Sequence, residues 1–121
     1  MNTETGIDII GAGSAAIAVF KSTCVGDVQE IAKASTQIKA YIEENQPDKM
    51  IFDFSGVKFF SSQVLGLLLE ARAGLRARGG KVVVCTLVGR LHRVFRITNL
   101  DRIFTFYPDR QSALGASHGG N

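Results

Sequence analysis

The chain has 121 residues, 45% of them apolar, and a formal net charge of +3. That is sufficient for one domain with a core of its own, expected to span residues 1–116, without disulfides or a metal. No apolar run approaches a membrane span, the N-terminus Met1-Asn2-Thr3-Glu4-Thr5 lacks the basic and apolar stretches of a signal peptide, and Cys24 and Cys85 have no zinc-ligand spacing.

A cytoplasmic setting with no membrane insertion, no metal and no cofactor is therefore the expectation. Taken in chain order, Ile7 to Ile10 and Ala15 to Phe20 predict two short strands joined by Gly11-Ala12-Gly13-Ser14. That joint matches the G-x-G-x-x-A of dinucleotide-binding turns, but such a turn must open directly into a helix. The strongest helical pattern starts only at Asp27, so a hairpin is the better reading. Asp27 and Glu30 have capping-box spacing, and Val28, Ile31, Ile38 and Ile42 recur at helical intervals. A helix from about Asp27 to Glu44 follows, stopped by Asn45 and Pro47.

Met50 to Phe54 predicts a strand buried on both faces. Leu65, Leu68, Leu69, Arg72 and Leu75 then mark a second helix, with Gly79-Gly80 supplying a left-handed stop. Lys81 to Cys85 is another buried strand, and Cys85 is read as a small buried hydrophobe. Leu91, Val94, Phe95 and Thr98 give a third helix ending near Asn99. Ile103 to Tyr107 is the last strand, Asp109 caps a final helix to about Ala116, and residues 117–121 are expected to be disordered. The order is ββαβαβαβα, an α/β domain with a mixed, mostly parallel sheet and an antiparallel hairpin at one edge.

Ser61 and Ser62 stand where a strand gives way to the start of the second helix. There the first backbone N–H groups lack intrahelical partners and the helix dipole favours negative charge. The residues alone leave two roles open, an ordinary cap or a hydroxyl held out for a partner to phosphorylate. Phe59 is expected in the core and Phe60 is open between core and partner contact. Asp53 is read as a hydrogen-bond acceptor near the sheet's end rather than a catalytic acid, and His92 and His118 offer no hydrolytic partner for Ser62. From Arg72 to Arg110 there are nine basic residues against Asp101 and Asp109. A solvated helix surface accounts for them, and no interleaved aromatic platform points to nucleic acid. No catalytic set emerges, and the chain is not expected to be an enzyme.

Phe52-Asp53-Phe54-Ser55-Gly56-Val57, Phe59-Phe60-Ser61-Ser62, Leu65-Gly66, Gly79-Gly80-Lys81 and Ile97-Thr98-Asn99-Leu100 together resemble the STAS domain, in particular the stand-alone bacterial anti-sigma factor antagonists. The resemblance covers roughly Ile7 to Leu114. It implies a protein that binds an anti-sigma factor serine kinase, is switched off by phosphorylation and is reset by a serine phosphatase. Leu65 and Gly66 set the register on the usual Asp-Ser-Ser-Gly-Leu-Gly, so Ser62 takes the phosphoacceptor position. Ser61 replaces the Asp, Gln63 the second Ser, and Val64 the Gly, which is expected to add bulk on the binding surface. Asn99 replaces a frequent Gly. The implied partner-binding set is Phe60, Ser61, Ser62 and Gln63. The alternative is a nonphosphorylated STAS scaffold in a larger signalling or transport complex.

Overall fold

A computed structural model describes residues 6–115. The ends expected for the domain, the disorder expected from residue 117 and His118 lie outside the described residues. Strand β1 (Ile7–Ala12) pairs antiparallel with β2 (Ala15–Phe20), and Ala12 faces Ala15 across the turn. Gly13 has φ 65°, a left-handed conformation that glycine adopts at little cost. The glycine pair thus closes a hairpin.

A two-residue strand, β3 (Cys24–Val25), precedes helix α1 (Val28–Asn45). Asp27 is the N-cap residue and accepts from the Gln29 amide at 3.4 Å. Glu30, the expected second arm of a capping box, is buried and accepts instead from the Ser22 hydroxyl. Strand β4 (Lys49–Asp53) follows, one residue earlier than expected, then β5 (Phe59–Phe60) and helix α2 (Ser62–Arg76). The chain stops α2 with Gly79 at φ 83° and a Gly80 amide donating to the Leu75 carbonyl at 2.8 Å.

Strand β6 (Lys81–Cys85) leads to α3 (Gly89–Ile97), β7 (Thr105–Tyr107) and α4 (Arg110–Gly115). Asn99 is left-handed at φ 64°, as its replacement of Gly requires. The strand expected from Ile103 begins only at Thr105. Residues 100–102 form a 3₁₀ turn, and the Ile103 and Phe104 amides both donate to the Leu100 carbonyl. Asp109 accepts from the Ser112 amide at 2.8 Å and opens α4.

The main sheet runs β1-β2-β4-β6-β7, parallel from β2 onward. Alternation assigns the two faces. Ala16, Ala18, Met50, Phe52, Val82 and Val84 join the large core with Ile38, Leu68, Leu75, Leu91 and Phe95 of helices α1 to α3. Ile17, Ile51, Val83 and Cys85 face the other way, against Ala113 of α4. Lys49 and Asp53 pin that helix: the Lys49 ammonium donates to the Ala113 carbonyl at 2.7 Å, and Arg110 donates to Asp53 at 2.9 and 3.0 Å. The β3–β5 pair was not expected. It forms a separate two-stranded parallel ribbon beyond the carboxyl end of β4, and it carries the start of α2.

Candidate functional site

The segment before α2 is held from two sides. On one side are backbone hydrogen bonds to β3 and the residue before it: the Lys58 and Phe59 amides donate to the Thr23 carbonyl at 2.7 and 3.2 Å, and the Ser61 amide to the Val25 carbonyl at 2.9 Å. On the other is Phe60, whose half-buried ring meets Phe54 at 5.6 Å and Phe95 at 6.0 Å, both edge-on. Edge-to-face pairs of this kind add about 0.5–1.5 kcal/mol each beyond the area they bury. Phe60 is thus first an anchor for the ribbon. Phe59 corrects the expectation of a core residue: alternation along β5 turns it outward, 52% exposed, with the Arg90 guanidinium 5.0 Å above its ring.

Ser61 is the N-cap of α2, extended at φ −84° and ψ 163°, and its carbonyl accepts from the Val64 amide at 3.0 Å. Its side chain makes no capping bond. The hydroxyl is buried and without a hydrogen-bond partner. Gly26 lies against it, so close that a β-carbon there would stand 3.9 Å from that of Ser61. Ser62 is the first helical residue, exposed, and no hydrogen bond among the described residues engages its hydroxyl. The capping role that the residues left open is therefore filled by neither serine side chain.

Gln63 is exposed beside Ser62, whereas Val64 is fully buried. The bulk that Val64 adds points into the core and leaves the surface unobstructed, correcting the expectation. The structure thus brings Ser62 and Gln63 together on one open turn, with Ser61 beneath them and Phe60 behind. The Ser62 and Gln63 amides at the start of α2 have no intrahelical partner, a setting that favours an anion at this turn. No acidic residue occupies the first turn of α2 to compete.

The other titratable candidates lie apart from this turn in their chemistry. Burial alone would raise the Asp53 carboxyl, but the Ser55 amide at 2.9 Å and the Arg110 guanidinium outweigh it and hold it below its ordinary 3.8. It is a structural anion. The Cys85 thiol is pushed up by burial, consistent with a packed and unreactive side chain. His92 packs on Phe106 at 4.8 Å between centroids. Among the described residues no group of three or more His, Cys, Asp or Glu side chains could hold a metal ion, and no helix is long and apolar enough to cross a membrane.

Arg90, Gly26 and the β3 segment escaped the sequence reading. Two-residue strands have no periodicity to detect. Arg90 had a signal, the three-residue spacing of Arg90, Arg93 and Arg96, but it was absorbed into the overall basic balance.

The family model described as "STAS domain" matches residues 27–113. An anti-sigma F factor antagonist of Paenibacillus polymyxa is 24% identical over 78 residues, 64% of this chain and 67% of that protein. An anti-sigma-factor antagonist (STAS) domain protein from Planctomyces limnophilus has a similar structure, with a TM-score of 0.81 and 21% identity over 93% of this chain and 97% of that one. The Bacillus cell fate determinant SpoIIAA in its phosphorylated form has a TM-score of 0.69 at 16% identity, covering 90% and 96%.

Proposed function

Because the chain belongs to the STAS domain family, we propose that it acts as an anti-sigma factor antagonist and is not itself an enzyme. It docks through the exposed turn of Ser62 and Gln63 on an anti-sigma factor that is also a serine kinase. Phosphorylation of Ser62 by that kinase releases it, and a serine phosphatase restores it. The observation that carries this reading is the state of Ser62: exposed, free of internal hydrogen bonds and seated on the orphan amides of α2.

The switch needs no large rearrangement. Phosphoserine brings about −1.5 to −2 charges and three acceptor oxygens. At the N-terminus of α2 the domain tolerates that charge, because the helix dipole and free amides favour it. Within an interface the same charge must lose water or oppose partner carboxylates, at a cost of several kcal/mol. A loss of about 3 kcal/mol weakens binding more than a hundredfold.

Calorimetric titration of anti-sigma factors from the source genome into wild type and Ser62→Glu tests this. One factor binding wild type tightly and Ser62→Glu at least about a hundredfold more weakly is the expected result. Equal affinity for both proteins would refute the role of Ser62. One observation favours a second reading, a nonphosphorylated scaffold: Ser61 places an uncharged, buried hydroxyl beside Ser62. Tight binding without any phosphate transfer would select that reading.

A further inference from the structure

The outward face of α3 carries Arg90, Arg93, Arg96 and Ile97, all exposed, with Ile97 at 73%. At 100° per residue these four positions fall within about 120° of one another, and the opposite side supplies Leu91 and Phe95 to the core. Arg93 and Arg96 form no ion pair among the described residues. No Asp or Glu occurs in the sequence between Glu70 and Asp101. The cations on this face are uncompensated along their own stretch of chain, while Arg90 lies over Phe59 and so ties the face to the ribbon leading into Ser62.

We propose that this face of α3, together with Phe59, is a second half of the docking surface and receives an acidic patch of the partner protein. The inference rests on the antagonist reading for the partner's identity, but its chemistry stands on the α3 face alone. A protein surface fits better than nucleic acid for two reasons. The arginines span only about 9 Å along the helix, room for a few phosphate contacts and hence weak binding at physiological salt. Phe59 and Ile97 are large apolar side chains with no phosphate to meet, whereas arginine with aromatic and aliphatic anchors is the composition that protein interfaces favour. Arg90 presents its guanidinium already oriented by the Phe59 ring, which lowers the ordering cost of pairing with a carboxylate.

The test uses the full chain and two charge variants, Arg93→Glu/Arg96→Glu and the milder Arg93→Gln/Arg96→Gln, each checked for fold by circular dichroism. Amide chemical shifts are followed while deca-glutamate, then deca-thymidylate, is titrated in. The account expects deca-glutamate to shift the amides of Phe59 and residues 88–97 in wild type and not in the Glu variant. No localised shift, or tighter binding of the oligonucleotide at the same residues, overturns it.

The second arm measures the anti-sigma factor at about 50 and 500 mM salt. Charge reversal should cost at least about tenfold at low salt, mainly in association rate, and much less at high salt. If the factor binds wild type and both variants alike, the α3 proposal fails while the antagonist reading stands. If no anti-sigma factor binds but deca-glutamate still shifts α3, the antagonist reading fails and the acidic-protein site stands.

Discussion

Replacing Phe60 with Ala separates an anchoring role for this side chain from a contact role. The ring makes two edge-on contacts, to Phe54 at 5.6 Å and Phe95 at 6.0 Å. At about 0.5–1.5 kcal/mol each, these come to about 1–3 kcal/mol before any loss of buried area. The structure directs that loss locally. Phe54 and Phe95 remain packed by Phe20 and by Phe104 and Phe106, so the main core keeps its partners. The β3–β5 ribbon keeps its backbone bonds and the buried Val25 side chain but loses the only ring that anchors β5 to the core. The opening equilibrium at the Ser61 amide, bonded to the Val25 carbonyl, should therefore rise about five- to hundredfold. Amide hydrogen exchange reads this directly at Ser61, with Phe52 in β4 as an internal control. Phe59→Ala, which removes an exposed ring, should leave both amides unchanged. If Phe60→Ala leaves Ser61 exchange unaltered, the anchoring argument is wrong and Phe60 acts only at the partner interface.

Asp53→Asn removes a buried carboxylate from two Arg110 contacts and should cost about 1–3 kcal/mol in urea denaturation, toward the lower end because Arg110 is partly exposed and can turn to water. The folded carboxyl titrates below its ordinary 3.8, so between the two values the unfolded chain binds the extra proton. Its stabilisation is complete above the ordinary carboxylate range and is lost as pH falls through the folded value. Wild type should lose more stability than Asp53→Asn on acidification, and parallel pH profiles would contradict that sign. Gly80→Ala puts a β-carbon 3.0 Å from the Pro47 and Asp48 carbonyl oxygens. The backbone must shift, and a fall of about 1–3 kcal/mol in urea stability is expected, with no change indicating that the turn after α1 yields freely.

The main sheet and its helices were legible because their signals are periodic. Lys81 to Cys85 could be bounded from hydrophobicity and the preceding Gly79-Gly80, and α1 from its Ile spacing and Asp27. What position-by-position reading missed was made by contacts distant in sequence. Cys24-Val25 forms a strand only because Phe59-Phe60 lies beside it, and Phe59 is outward only because Phe60 finds Phe54 and Phe95. The Ile103 strand start failed for a local reason, a 3₁₀ turn that claims the Leu100 carbonyl for both Ile103 and Phe104. At the candidate site, the register on Leu65-Gly66 picked out Ser62, and Val64 shares the helical spacing of the buried Leu68, Ala71 and Leu75. The unpartnered Ser61 hydroxyl beside Gly26, however, has no signal in the sequence.

The central claim is that Ser62 is a phosphoacceptor, and intact-mass analysis tests it most directly. Wild type, Ser62→Ala and Ser61→Ala would each be incubated with ATP and the anti-sigma factor that binds. The account predicts one added phosphate on wild type and on Ser61→Ala and none on Ser62→Ala, since only the Ser62 hydroxyl is exposed and free. A phosphate retained in Ser62→Ala, or none on wild type despite tight binding, would contradict it.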